Sequence, residues 1–218
     1  MPKKLILIAA SNFADEIVQL FRDINEQKTT PEWEIVGFLD DNKALTGKVR
    51  NGISVLGTKE WIENNNINDI FFVCCIGNPK AKKRVVQYFK DHNAKFASAI
   101  HPSVIISNTS KVGEGTVVTA GNIITTNISI GNHIIINLAC TVGHYTQIGD
   151  YCTINPGANI SGDVIIAEAV SIGTNATILE KMSIGSFSII GAAAVVNKPI
   201  PENVTAVGVP AKVIKTNN

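Results

Sequence analysis

One histidine lies in a sequence context that could support acid–base chemistry. His144 follows Val142-Gly143 and precedes Tyr145. A neutral imidazole can accept a proton near pH 7 from an amine or hydroxyl that attacks an acyl group. Backbone N–H groups at a neighbouring turn could stabilise the resulting oxyanion. His144 is therefore a candidate general base, with an ordinary surface histidine as the alternative.

Short polar or small residues follow three predicted strands near the N terminus. The six candidate substrate contacts are Ser11, Asn12, Asp40, Asp41, Gly77 and Asn78. The first pair lies beside a helix N-terminus and could bind a polar ligand or anion, with plain N-capping as the alternative. The two carboxylates could accept hydrogen bonds from a base imide or a sugar hydroxyl, with a surface turn as the alternative. The first turn has no glycine, so a GxGxxG-type pyrophosphate site is not expected.

The elements that position His144 follow a six-residue repeat. From Ile100 to Val196, seventeen successive positions spaced by six residues are all Ile or Val. The residue after each is mostly Gly or Asn, which predicts a bend there, and the residue four on is mostly small or aliphatic. We expect the first and fifth positions of each unit to point inward. Three units then close one coil of eighteen residues, and each coil buries its face against its neighbours.

The N-terminal part of the chain lacks this repeat and alternates aliphatic strands with amphipathic helices. Strands are expected over 4–8, 34–39 and 69–75, and helices over 13–25 and 80–92. Such alternation predicts a small parallel α/β sheet, a Rossmann-like domain whose ligands bind beyond the carboxyl ends of the strands. We place the first domain at 1–96 and the repeat domain, with its C-terminal tail, at 97–218.

Composition narrows the possible functions. A net charge of +1, with 17% charged residues, gives no large basic field and argues against a mainly electrostatic nucleic-acid binder. No apolar run approaches the length of a membrane span, so we expect a cytoplasmic protein. The four cysteines form no CxxC pattern, which favours reduced core residues. Neither they nor the four histidines predict a metal site.

The hexads resemble the repeat of the left-handed β-helix acyltransferases. The whole chain resembles the bacterial nucleotide-aminosugar N-acetyltransferases and sialic acid O-acetyltransferases. The motifs that carry this resemblance are Gly37-Phe38-Leu39-Asp40-Asp41, Ile76-Gly77-Asn78, Ile100-His101-Pro102-Ser103, Val142 to Asp150, and Val207-Gly208-Val209-Pro210-Ala211-Lys212. The resemblance implies an N-terminal domain that binds a nucleotide sugar, acetyl-CoA held between subunits of a homotrimer, nucleotide contacts for Asp40 and Asp41, and His144 as the base.

The eighteen-residue coil places other residues in line with His144. The column through it contains Thr126, Gly162, Glu180 and Lys198. At about 4.8 Å per strand, Lys198 lies roughly 14 Å from His144, which is about the reach of a pantetheine arm. The residues that we assign to acyl-CoA binding are Asn155, Gly162, Gly173, Gly191, Lys198 and Lys212.

Two positions depart from the family pattern. Tyr145 replaces the acidic residue that usually follows the histidine, and Asp163 or Asp150 could take over that role. We place Tyr145 with His144 in the catalytic site. Asn155, before Pro156, is the second departure. The alternative to a role in CoA binding is a structural one, in which Asn155 forms an amide ladder with Asn137. Both changes leave room for an acyl group larger than acetyl.

The leading hypothesis is an N-acyltransferase. It moves an acetyl or other short acyl group from acyl-CoA to the amine of a nucleotide-linked 4-amino-4,6-dideoxy sugar, and UDP and dTDP sugars are not distinguished. One alternative is an O-acetyltransferase that acts on a free sugar such as sialic acid. Another is a non-catalytic β-helix scaffold whose N-terminal domain binds a ligand.

Overall fold

The computed structural model describes residues 1–217, which divide into two compact units. The first unit comprises 1–77 and 81–102. The second comprises 78–80 and the chain from Ser103 onward.

The first unit is built on a mostly parallel sheet. Its strands are β1 (Lys3–Ile8), β2 (Trp33–Leu39), β3 (Val49–Arg50), β4 (Ile53–Gly57), β5 (Ile70–Cys74) and β6 (Lys95–Phe96), in the spatial order β3-β4-β2-β1-β5-β6. Only the β3–β4 pairing is antiparallel within this described sheet. The helices are α1 (Asn12–Glu26) and α2 (Pro79–Asp91), with short 3-10 turns at Lys43–Leu45 and Lys59–Asn64. The three strands and two helices expected from the sequence are confirmed.

Hydrophobic periodicity explains why α1 packs as it does. Ala14, Ile17, Val18 and Phe21 are fully buried, and their spacing of three to four residues defines one face of a helix. The sheet beneath has a continuous apolar strand, Leu5–Ile8, as expected for a strand covered on both faces. The sheet interior also holds Cys74 and Cys75, and burial raises the pKa of the Cys74 thiol to about 11.

The second unit is a parallel β-helix whose strands recur every six residues. Its two-residue strands are Ile105–Ile106, Lys111–Val112, Val117–Val118, Ile123–Ile124, Ser129–Ile130, Ile135–Ile136, Thr141–Val142, Gln147–Ile148, Thr153–Ile154, Asn159–Ile160, Ile165–Ile166, Ser171–Ile172, Thr177–Ile178, Ser183–Ile184, Ile189–Ile190 and Val195–Val196, preceded by Ala99–Ile100. Each pairs with the strand eighteen residues away, as in Val142 with Ile160. A final antiparallel hairpin joins Val204–Val207 to Lys212–Thr216.

The interior of the β-helix follows the predicted pattern. The aliphatic residues at the first position are buried from Ile124 through Val196. The fifth-position residues are fully buried as well: Cys140, Thr146, Cys152, Ala158, Val164, Ala176 and Ala194. Both sets therefore point inward, as expected.

The corners differ from the expectation. From Val112 to Ile190, the left-handed backbone conformation occurs three residues after the aliphatic of each unit, as at Tyr145 (φ 59°) and Asp163 (φ 58°), and not at the glycine immediately after it. The glycines that directly follow the aliphatic residues are explained by close packing between coils. A Cβ on Gly143 would lie 2.5 Å from the carbonyl carbon of Ser161 in the next coil, and one on Gly173 would lie 2.4 Å from the nitrogen of Ala192. They are glycine because successive coils approach each other too closely there for a side chain.

Candidate functional site

His144 lies at a corner of the β-helix where backbone contacts to two neighbouring coils fix the chain. The N–H of Tyr145 donates to Thr126 O (3.1 Å), and the N–H of Asp163 donates to His144 O (2.8 Å). The preceding Val142 is buried and anchors the strand. The imidazole itself is 58% exposed, so it is accessible to a substrate.

The imidazole ring lies over Gly162. A Cβ at Gly162 would lie 2.4 Å from Cε1 and 2.7 Å from Nε2 of His144. Gly162 has a backbone conformation that any residue can adopt, so the turn does not require glycine there. The lack of a side chain instead makes room for the imidazole ring. We expected Gly162 to contact CoA, and the structure places it beneath the candidate base.

Two side chains flank the ring. Asp163 Oδ2 lies 4.0 Å from His144 Nδ1. The ring of Tyr145, which is 56% exposed, meets the imidazole edge-on with centroids 5.7 Å apart. Asp150, the other acid considered, accepts the backbone N–H of Asn132 at 2.7 Å and is committed to the coil. Of the two acids, Asp163 is therefore the one beside His144.

The residues assigned to CoA binding have different surroundings. Asn155 Nδ2 donates to Ile172 O at 2.6 Å, so its amide ties two coils together through a backbone carbonyl and not through the expected ladder with Asn137. A Cβ at Gly191 would lie 2.7 Å from Val207 Cγ1, which gives that glycine a packing role. Lys198 and Lys212 are exposed, and neither belongs to the described contacts of His144.

A separate cleft lies in the first unit at the carboxyl ends of β1, β2 and β5. Its lining residues are Ile8, Ala9, Leu39, Asp40, Asp41, Lys59, Ile76 and Val85. This is the edge at which parallel α/β sheets bind ligands. Apolar walls with a few charged groups at one end suit a flat base with polar edges.

Asp40 holds the turn that forms this cleft. One carboxylate oxygen accepts the N–H of Ala10 (2.8 Å), and the other accepts the N–H of Asn42 (2.9 Å). Ala9, the residue directly before Ala10, has φ 77°, a left-handed conformation that is unusual for alanine. Asp40 thus stabilises a strained strand-to-helix turn.

Asp41 and Lys59 form an ion pair on the cleft wall. Lys59 Nζ lies 3.0 Å from Asp41 Oδ2, and the hydrogen bond to Asp41 raises the pKa of Lys59 above its usual value. Asp41 remains 58% exposed. We did not identify Lys59 from the sequence. The sequence feature that could have identified Lys59 is its position just after Ile53–Gly57, a strand that pairs in parallel with Trp33–Leu39.

The remaining predicted contacts are only partly brought together. Ser11 is the N-cap of α1, and its Oγ accepts the N–H of Ala14 at 3.3 Å, as the capping alternative required. Asn12 Oδ1 accepts from Arg50 at 2.8 Å. Gly77 follows the cleft residue Ile76, whereas Asn78 is grouped with the second unit.

In residues 1–217, no group of three or more His, Cys, Asp or Glu side chains is placed to hold a metal ion. Within the same residues, every helix is too short or too polar to cross a membrane.

The sequence matches two family models and several characterised proteins. The model described as PglD N-terminal domain matches residues 4–89, and that described as bacterial transferase hexapeptide (six repeats) matches residues 145–180. The chain is 31% identical over 141 residues to GDP-perosamine N-acetyltransferase of Escherichia coli O157:H7, covering 65% of this chain and 62% of that protein. It is 39% identical over 73 residues to UDP-N-acetylbacillosamine N-acetyltransferase of Bacillus subtilis (strain 168), covering 29% of this chain and 34% of that protein. The matches thus span less than two thirds of each relative.

Solved structures match over nearly the full chain. The acetyltransferase domain of PglB from Neisseria gonorrhoeae FA1090 has 30% identity and a TM-score of 0.89, covering 97% of this chain and 100% of that one. The same domain in complex with acetyl coenzyme A gives 29% identity and a TM-score of 0.89, over 98% and 100% of the two chains. PerB from Caulobacter crescentus, in complex with CoA and GDP-perosamine, gives 26% identity and a TM-score of 0.87, over 97% of each chain.

These findings confirm the resemblance and the fold expected from the sequence. Both halves of the chain match, each to the kind of domain that its sequence pattern predicts. The solved relatives match the chain over both of its halves. The chain belongs to the nucleotide-aminosugar acetyltransferase family, in which a PglD-type N-terminal domain precedes a β-helix of hexapeptide repeats.

Proposed function

We propose that this protein transfers an acetyl or other short acyl group from acyl-CoA to the amine of a nucleotide-linked 4-amino-4,6-dideoxy sugar. The observation that carries the proposal is the setting of His144, an exposed imidazole laid over Gly162 with a carboxylate near Nδ1. Relatives named as N-acetyltransferases, and a solved relative with bound acetyl coenzyme A, support the choice of reaction.

The reaction is a direct acyl transfer. The sugar amine attacks the thioester carbonyl carbon, a C–N bond forms, and the C–S bond breaks to release CoA. His144 Nε2 accepts the amine proton and returns it to the departing thiolate. Nε2 takes this role because Nδ1 faces Asp163. A positioned base of this kind contributes roughly 10²- to 10⁴-fold to the rate.

The nucleotide is proposed to bind in the cleft that contains Asp41 and Lys59. A carboxylate accepts from base N–H groups, whereas an ammonium donates to base carbonyl oxygens, so the pair matches a base edge that carries both. Both side chains lie in one cleft with apolar walls. Asp40 contributes by holding the turn, since both of its oxygens already accept backbone N–H groups.

Acyl-CoA is proposed to bind along the β-helix. Lys198 and Lys212 are exposed cations that can meet its phosphates, and the complexes of solved relatives with acetyl coenzyme A and CoA support a CoA substrate. We also propose a homotrimer, because one flat face of a β-helix offers a single wall for the pantetheine arm. A neighbouring copy would supply the second wall.

The proposal is tested by measuring thiol release from acyl-CoA with a panel of acceptors. The panel contains UDP-, dTDP- and GDP-linked 4-amino-4,6-dideoxy sugars and free sialic acid, since relatives are named for both GDP- and UDP-linked amino sugars. Acetyl-CoA and a longer acyl-CoA are each supplied. We expect turnover with one nucleotide sugar and little with sialic acid. Turnover with sialic acid alone would favour O-acetylation, and none with any pair of substrates would favour the scaffold.

A further inference from the structure

The carboxylate beside the imidazole comes from the next coil of the β-helix. We propose that Asp163 is a positioning residue for His144, which holds the imidazole with Nε2 available to the substrate and stabilises the imidazolium as it forms. This inference rests on the proposed function of His144 as general base. The residue that follows His144 in its own coil is Tyr145, which carries no carboxylate.

The backbone fixes Asp163 relative to His144. The N–H of Asp163 donates to the carbonyl oxygen of His144 at 2.8 Å, so a backbone hydrogen bond joins the two corners. Asp163 lies eighteen residues after Tyr145, in the same corner position one coil further on, and both have left-handed backbone conformations. A carboxylate at 163 therefore approaches the ring from the neighbouring coil.

Three neighbouring residues define the position of the imidazole ring. Gly162 lies under its face, Tyr145 meets its edge, and Asp163 Oδ2 is 4.0 Å from Nδ1. With the carboxylate on the Nδ1 side, the Nδ1–H tautomer is favoured and Nε2 keeps its lone pair. A base needs that lone pair to accept a proton.

The charged surroundings of the ring are simple. Among the described residues, the charged group that lies within salt-bridge distance of the His144 ring is the carboxylate of Asp163, with Oδ2 4.0 Å from Nδ1. Tyr145 is the other titratable group in contact with it. Lys181 and Glu180 belong to the coil beyond Gly162, and the N–H of Lys181 donates to Gly162 O at 3.1 Å. The preceding coil presents the neutral Thr126 and Asn127.

The contact is electrostatic. A separation of 4.0 Å exceeds hydrogen-bond distance, and both side chains are about half exposed, at 58% for His144 and 46% for Asp163. The effect should therefore be moderate and weakened by salt. A carboxylate stabilises the imidazolium that forms in the transition state, so its removal should lower kcat and leave substrate binding unchanged.

The test is the steady-state kinetics of Asp163→Asn at low and at high salt. Asparagine tolerates the left-handed conformation of this corner, so the variant removes the charge and keeps the backbone. We expect kcat to fall about fivefold, as for a half-exposed ion pair. The KM for the nucleotide sugar should not change, and 1 M salt should reduce the difference from the unmodified protein.

A matched control and a rescue variant make the result specific. Glu180→Gln removes a carboxylate from the same side of the β-helix, two coils from His144, and should leave kcat unchanged. Tyr145→Asp in the Asp163→Asn background restores a carboxylate at the same corner position, in the coil of His144 itself. We expect it to restore kcat towards that of the unmodified protein.

The outcomes separate this inference from the proposed function. A kcat within twofold of the unmodified protein, or a loss of kcat that high salt does not reduce and Tyr145→Asp does not restore, would overturn the role of Asp163. His144→Ala is measured in parallel. If it abolishes activity while Asp163→Asn behaves like the unmodified protein, only the inference about Asp163 is wrong. If it remains active, the proposed base is wrong as well.

Discussion

At the scale of single residues, two adjacent aspartates have different tasks. Asp40 uses both carboxylate oxygens to accept backbone N–H groups, whereas Asp41 pairs with Lys59 and faces the cleft. The first arrangement stabilises a turn, and the second presents charges to a ligand. Sequence alone could place both residues at a strand end, but it could not separate their roles, because the difference depends on which backbone amides lie nearby.

We expect Asp41→Asn to raise the KM for the nucleotide sugar by about tenfold with little change in kcat, because it weakens a charged hydrogen-bonding group that we propose contacts the base. Steady-state kinetics at saturating acyl-CoA provide the measurement. Asp40→Asn is the matched comparison, and it should lower Tm because an amide has one acceptor oxygen for two N–H groups. A KM for Asp41→Asn within twofold of the original would rule out this nucleotide contact.

Ala9 carries a backbone conformation that favours glycine. Its φ of 77° lies in the left-handed region, in the turn after β1. We predict that Ala9→Gly raises the free energy of unfolding by about 0.5 kcal/mol, since relief of strain exceeds the added entropy of the unfolded chain. Urea denaturation measures the change. Ala10→Gly, where φ is ordinary, should lower stability, and a lower stability for Ala9→Gly would show that the turn is not strained.

At the scale of elements, two glycines of the β-helix lie against different kinds of neighbour. Gly143 lies against the backbone of the next coil, and Gly162 lies against the side chain of His144. A backbone cannot move aside without separating the coils, whereas a side chain can rotate away. Substitution at the two positions should therefore affect different properties.

We expect Gly162→Ala to lower kcat by about tenfold or more with Tm little changed, because it displaces the imidazole from its seat. Gly143→Ala should instead lower Tm by several degrees, about 2–4 °C for each kcal/mol lost. Thermal unfolding and steady-state kinetics on both variants provide the comparison. Equal losses of stability in the two variants would contradict the distinction.

Much of the element structure was predictable because it depends on periodicity. The hexad spacing located the inward residues, and the eighteen-residue stacking placed His144 above Thr126 and beside Gly162. The role of the corner glycines was not predictable in this way, since it depends on distances between coils. Lys59 was missed because the short strand Ile53–Gly57 gives a weak sequence signal and joins the sheet through long-range pairing.

At the scale of the whole molecule, recognition and chemistry are assigned to different units. The first unit contains the cleft of Asp41 and Lys59, and the second contains His144 and the exposed lysines proposed to bind CoA. The first is an α/β sheet with a ligand edge, and the second is a repeat whose surface residues can vary while its interior is retained. Under the proposed function, this division is consistent with relatives that are named for different nucleotide-linked amino sugars.

The most direct test of the account compares thiol release by the unmodified protein and by His144→Ala, with the nucleotide sugar that proves the best acceptor. Because the amine must lose a proton as the C–N bond forms, we predict a fall in kcat of at least about 100-fold with an unchanged Tm. A fall of less than about tenfold would contradict the assignment of His144 as the general base.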